Sequence, residues 1–285
     1  MLATVAMIAF AANSVLARLA LGAGDMSAAG YTGVRLLSGA ITLGAILYLH
    51  SPKTDRPRVK IAGSWRGAAA LLGYALAFSI AYIMLGAATG ALILFASVQM
   101  GMLAWAILTG DRPGLLEWLG FGLAFVALVL LVSPGLVAPP LLGTALMVIA
   151  GLCWAAYSLM GRGSRAPLAD TAGNFIRCVP VALLLTIAGE LTHTSTVIGL
   201  AYAMASGAVA SGMGYAIWYA ALPRLARTSA AFVQLTVPAI AAAGAIVFIG
   251  EQLTGRLVFS SAGIIGGVAL ALLAAKGRTA RANPP

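Results

Sequence analysis

The sequence predicts an all-α integral membrane protein of ten transmembrane helices, arranged as two inverted five-helix repeats. Three observations predict it. Of 285 residues, 61% are hydrophobic and only 8% charged, with a mean hydropathy of +1.01, whereas a soluble domain carries about 25% charged residues. The apolar residues fall in ten runs, each close to the roughly 20 residues that cross a bilayer. The basic residues between those runs alternate strongly in density from one side to the other.

The first run is 2–21. No basic region precedes it, so it reads as a span and not as a cleaved leader. The next is 28–49, and then 67–86 and 88–109, parted only by "GAATG". The run 115–133 closes a first group of five. After "PGLVAPP" at 134–140 come 141–161, 171–190, 196–219, 228–249 and 257–275. The expected organisation is a first repeat over 1–133, a second, inverted repeat over 141–275, and a basic cytoplasmic tail at 276–285.

Lys53, Arg56, Arg58, Lys60, Arg66, Arg112, Arg162, Arg165, Arg224, Arg227, Lys276, Arg278 and Arg281 all fall on one side of this arrangement, and Arg18 and Arg256 on the other. The positive-inside rule then places both termini in the cytoplasm, as expected of a bacterial inner-membrane protein. Because five is odd, the second group enters the membrane from the opposite side. That is the pattern of inverted-repeat secondary transporters, which alternate access around a mid-membrane site. Both repeats lie in one chain, so a monomer suffices.

The same reading excludes other classes. The net charge of +10 comes from these gap residues, without an aromatic-interleaved basic patch, so nucleic acid is not an expected partner. No G-x-x-x-x-G-K loop supplies a nucleotide motor. Cys153 and Cys178 sit inside apolar runs and form no C-x-x-C site. His50 and His193 lie at span ends without a cluster of catalytic or metal-ligating residues. No enzyme activity, cofactor or metal is expected; the expected partners are a small-molecule substrate and the lipid bilayer.

Two arginines stand inside apolar runs, Arg35 in "YTGVRLLSGAITL" and Arg177 in "NFIRCVPVALLL". A charge at bilayer depth is costly and is usually functional or paired. Arg35 lies about 10 Å from its helix end at 1.5 Å per residue, on the side where Glu251 ends the ninth span. Arg177 shares the opposite side with Asp111 and Glu117. Two readings are open: conditional ion pairs linking the repeats, Arg35 with Glu251 and Arg177 with Asp111 or Glu117, or fixed contacts with helix-end carbonyls and water.

Substrate contacts are sought among polar and aromatic residues near mid-span. Tyr74, Phe78 and Tyr82 form one face at i, i+4 and i+8. Asn13, Gln99 and Gln234 bring amides to depth, and Trp154, Tyr157 and Tyr215 add amphipathic rings. Packing competes with binding for each ring, and Trp65, Trp118, Tyr48 and Trp218 read as interfacial belt residues. Pro238 removes a backbone hydrogen bond and is the candidate hinge. Gly263, Gly266 and Gly267 allow close helix approach, internally or between copies.

"YTGVR", "NFIR", the stretch "WYAALPRLARTSAAFVQLTVPAIAAAGAIVFIGEQL" at 218–253 and the glycine-rich "AGIIGGVALALL" together resemble the drug/metabolite transporter superfamily, specifically its EamA-type members. The resemblance covers essentially the whole chain. It implies an inner-membrane exporter of small metabolites, most closely like exporters of aromatic and other neutral amino acids. The first repeat departs from the pattern, with Gln99 in place of the second repeat's proline region and Asp111 in place of Glu.

Asp, Glu and His are absent from mid-span, which favours facilitated export or exchange of a neutral solute over a proton antiport built on a central carboxylate. Coupling through Glu190 or Glu251 stays open, as does the alternative of a broad-specificity exporter of lipophilic drugs.

Overall fold

The computed structural model describes residues 1–50, 61–110, 112–132, 139–161, 164–221, 233–234 and 236–282. Its described residues form ten helices and no strand. They are α1 (Leu2–Gly22), α2 (Ala28–His50), α3 (Trp65–Met84), α4 (Ala87–Leu108), α5 (Leu115–Val132), α6 (Leu141–Met160), α7 (Pro167–Thr192), α8 (Val197–Ala221), α9 (Thr236–Ile249) and α10 (Gly255–Ala282). Eight are long and apolar enough to cross a membrane, and α5 and α9 are shorter apolar helices.

The boundaries differ from the apolar runs where capping chemistry overrides hydropathy. Ser64 caps α3, its hydroxyl accepting from Gly67 N at 3.0 Å, so the helix starts at Trp65 and takes in the charged Arg66. Leu85 is extended (φ −106°, ψ 144°) and ends α3, leaving two residues before α4. α7 starts four residues ahead of its apolar run because Pro167 opens it and Asp170 lies in its first turn, a favourable place for a proline and an acid. The basic residues from 276 continue the last helix: α10 runs on to Ala282. The expected start of the ninth span at 228 lies outside the described residues.

α8 is not uniform. Ser206–Met213 is wound as a π-helix between two α-helical segments, a form that is rare and frequently marks functional sites.

One end of the bundle gathers the α1–α2, α3–α4, α7–α8 and α9–α10 connections. There Thr196 donates to Asp25 at 2.9 Å, and Arg18 donates to the carbonyls of Tyr82 and Ile83 at 3.1 and 3.3 Å. At the other end Gly63 N donates to Asp170 at 2.8 Å and Ser64 N to Asn174 at 2.8 Å. α2 packs along α7 and α5 along α10; α1 packs against α8 and α9, and α6 against α3 and α4. The α5–α10 contact is close because both helices present a glycine. A Cβ on Gly120 would lie 2.5 Å from Gly267 O, and one on Gly267 would lie 2.5 Å from Gly120 O. Gly263 is also internal, against Ala127, whereas Gly266 faces open space.

Candidate functional site

The middle of the bundle is polar at its heart and aromatic around it. Arg35, on α2, is 2% exposed. Its Nη2 donates to Tyr74 Oη at 3.0 Å and its Nε to Ser211 Oγ at 3.4 Å. Its guanidinium carbon lies 4.9 Å from the Phe78 ring centre and 5.1 Å from that of Tyr74, within cation–π range. Nη1 is buried and makes no hydrogen bond among the described residues. Tyr74 and Phe78 are neighbours on α3, one turn apart, which is why they flank the same cation.

A chain of hydrogen bonds leads away from this cation. Asn13 Nδ2 donates to Tyr74 Oη at 3.3 Å, Ser206 Oγ donates to Asn13 Oδ1 at 2.6 Å, and Tyr31 Oη donates to Ser206 Oγ at 2.8 Å. Thus α1, α2 and α3 from the first half of the chain meet α8 from the second. The π-helical turn sets this geometry. Ser206 and Ser211 are five residues apart, about 140° on an α-helix at 100° per residue; the wider i→i+5 winding carries both toward one centre.

Rings close the surround. Trp154 on α6 is stacked on Tyr157 (5.4 Å between centres, 29°) and on Tyr215 (5.4 Å, 23°), and lies 4.9 Å from Tyr74. Phe78 meets Tyr82 edge-on at 4.6 Å. Phe10 and Phe175 approach Tyr215 at 5.5 and 6.1 Å. Tyr31, Phe78 and Tyr82 are wholly buried, so this conformation is closed around Arg35. A second polar set lies toward the α2–α3 connection: Thr171 joins Tyr157 and Tyr219 at 3.3 and 3.2 Å.

Of the residues singled out from sequence, Asn13, Tyr74, Phe78, Tyr82, Trp154, Tyr157 and Tyr215 come together here with Arg35. Gln99 is buried in α4 and Gln234 half-buried, but neither joins this network among the described residues. Pro238 is buried in the first turn of described α9. Trp218 is buried against Phe10, Met7 and Val237 instead of lying in an interfacial belt, whereas Trp65, Trp118 and Tyr48 are exposed.

Among the described residues, Arg35 does not pair with Glu251, nor Arg177 with Glu117, in this conformation. The Glu251 carboxylate caps α4, accepting from Ala87 N at 2.5 Å and Ala88 N at 3.2 Å, where the helix N-terminus favours an anion. Arg177 is held by the carbonyl oxygens of Ala62 and Gly173, the latter at 2.9 Å, and lies 5.9 Å from the Trp65 ring centre. Asp111 lies outside the described residues, and Glu117 accepts from Gly114 N at 3.2 Å.

Sequence reasoning missed Tyr31, Ser206, Ser211 and Phe175. Tyr31 was legible, one turn before Arg35 on the same face. The serines were not, because at helical spacing they point apart. A pocket of about 120 Å³ lined by Leu85, Gly86, Pro140 and Arg256 lies away from this centre, at the end where the α3–α4 and α9–α10 connections meet.

Comparison with known proteins agrees with this architecture. The EamA-like transporter family model matches twice, over residues 1–133 and 141–273. An uncharacterised protein of Pseudomonas aeruginosa is 47% identical over 283 residues, covering 99% of this chain and 96% of its own. The threonine/homoserine exporter RhtA of Salmonella typhimurium is 30% identical, covering 84% of this chain and 80% of its own; RhtA of Escherichia coli is 30% identical over 80% and 76%. One crystal structure aligns with a TM-score of 0.61 at 19% identity, covering 94% of this chain and 98% of that one, which speaks to the fold. With a family match in each half and this likeness to an exporter along most of its length, the chain is a multi-pass membrane protein that belongs to the EamA-like transporter family.

Proposed function

We propose that the protein is an inner-membrane exporter of small neutral amino acids and like metabolites, working by alternating access of two inverted five-helix repeats. The observation that carries this reading is the closed polar and aromatic centre built from both halves, with Arg35 and Asn13 from one and Ser206, Ser211, Trp154 and Tyr215 from the other. Rocking the halves would open that centre to one side or the other. The double match of the family model supports the repeat. So does the packing, in which α2 meets α7, α5 meets α10, and the contacts of α1 with α8 and α9 are echoed by those of α6 with α3 and α4.

The name of the RhtA relatives supports amino acids as the substrate class, and the rings around Trp154 suit a side chain with an apolar body. Export of lipophilic cations is disfavoured, because the Arg35 charge would repel them from the only full charge at this centre among the described residues. Transport is facilitated or by exchange, since the described centre contains no carboxylate or imidazole to carry a proton. The cytoplasmic placement of both termini follows from the distribution of basic residues.

The test is uptake of radiolabelled neutral amino acids into liposomes holding the purified protein. Saturable uptake without an imposed proton gradient, lost in Asn13→Ala, is expected. Uptake that requires a pH gradient would overturn the uncoupled mechanism, and no uptake of any amino acid under any gradient would overturn the export reading.

A further inference from the structure

The Arg35 centre is electrostatically and chemically incomplete, and the missing partner has a definite character. The guanidinium is 2% exposed, yet its described partners are the neutral hydroxyls of Tyr74 and Ser211 and the faces of Tyr74 and Phe78. An arginine stays charged at any physiological pH, and a buried charge without a counter-charge is strongly unfavourable. Ring faces offset part of that cost but accept no hydrogen bond from Nη1, which has none among the described residues. Tyr74 Oη accepts from both Arg35 and Asn13, and among the described residues its own hydroxyl proton has no acceptor. Two donors of one buried cluster therefore have no acceptor among the described residues, beside an uncompensated positive charge. A group that only accepts and carries a negative charge satisfies all three conditions.

Resting on the export reading above, we propose that Arg35 is the anchor for the carboxylate of the transported solute, which accepts from Arg35 Nη1 and from the Tyr74 hydroxyl. The rings of Trp154, Phe175 and Tyr215 then cover the remainder of the solute. The anchor gives specificity for a carboxylate-bearing molecule over the same molecule without that charge, because the uncharged form leaves the buried cation unpaired. It also explains why the first arginine lies at the centre while the second is spent on backbone carbonyls at the bundle's end.

The experiment is inhibition of labelled amino-acid counterflow in proteoliposomes by a neutral amino acid, its primary amide and its decarboxylated amine. In the wild-type protein the free acid should inhibit about tenfold or more better than the amide or amine, the size expected for a lost charge-assisted hydrogen bond. Tyr74→Phe, which keeps the ring, should weaken the acid more than the amide; Arg35→Gln should bring acid and amide to one level, and Arg35→Lys should retain part of the preference. Equal inhibition by acid and amide in the wild type overturns the anchor while leaving export standing. Absence of counterflow with every amino acid overturns the export reading and the anchor with it. A thermal-shift series supplies a readout independent of flux: the acid should stabilise the wild-type protein more than the amide or sodium chloride does. Equal stabilisation by chloride would make this a simple anion site and overturn the proposal.

Discussion

Ser206 accepts from Tyr31 and donates to Asn13, so it joins three helices through one hydroxyl. Ser206→Ala should leave Tyr31 Oη and Asn13 Oδ1 buried without those partners, at a cost of roughly 1–3 kcal/mol; thermal unfolding in detergent measures it, and an unchanged midpoint would show that the network contributes little. Gly207, beside it, lies so close to α2 that a Cβ would overlap Ser38 Oγ and the Arg35 carbonyl oxygen. Gly207→Val should destabilise by about 1–3 kcal/mol through overpacking and reduce uptake, whereas Gly266→Val, facing open space, should change neither. At this scale the sequence was partly readable. Asn13, Tyr74 and Tyr82 stand out as polar groups in apolar runs. The partners of Arg35 do not, because a long-range carboxylate looks more suitable on paper than a hydroxyl 176 residues away. Glu251 illustrates the same difficulty: its side of the membrane could be inferred, but not that two orphan amides of α4 would claim it.

At the scale of the element, α8 is the helix whose winding sets the geometry of the Arg35 centre. Inserting an alanine after Ala208, one residue beyond what the wide turn already absorbs, should rotate Tyr215 by about 100° relative to Ser206. The protein should still insert into the membrane, as read by its yield in membrane fractions, while uptake is lost; retained uptake would mean the register of α8 is unimportant. Glu251→Ala removes the cap of α4 and should cost about 1 kcal/mol in the same unfolding assay, with Glu251→Gln closer to wild type. Helix number and order were legible because each helix must satisfy its own backbone in lipid. The ends were less so: Ser64 and Pro167 start α3 and α7 by capping geometry, which hydropathy does not register. Winding was not legible at all, since the run "SGAVASGM" fits either form.

Across the whole molecule, the contacts join the first half of the chain to the second. α2 lies along α7, with Gly30 near Gly189, and α5 lies along α10. Reporter fusions should place the termini and the 50–66 and 222–227 connections in the cytoplasm, and the 134–140 and 193–196 connections outside. A terminus reported outside would overturn the topology. The sequence suggests a duplication through five apolar runs per half and an arginine in the second of each, and the family model matches each half. It could not tell that the two arginines have separate fates, because their equivalence in sequence holds only for the helix that carries them and not for what packs against it.

Trp154, parallel to Tyr215 and in contact with Tyr74, is an optical reporter already installed at the centre. While the rings are stacked its indole is half-buried, and parting the halves would expose more of it to water. The emission difference between the wild-type protein and Trp154→Phe should therefore move to the red whenever the centre opens, allowing the opening to be timed by stopped flow in the unlabelled protein.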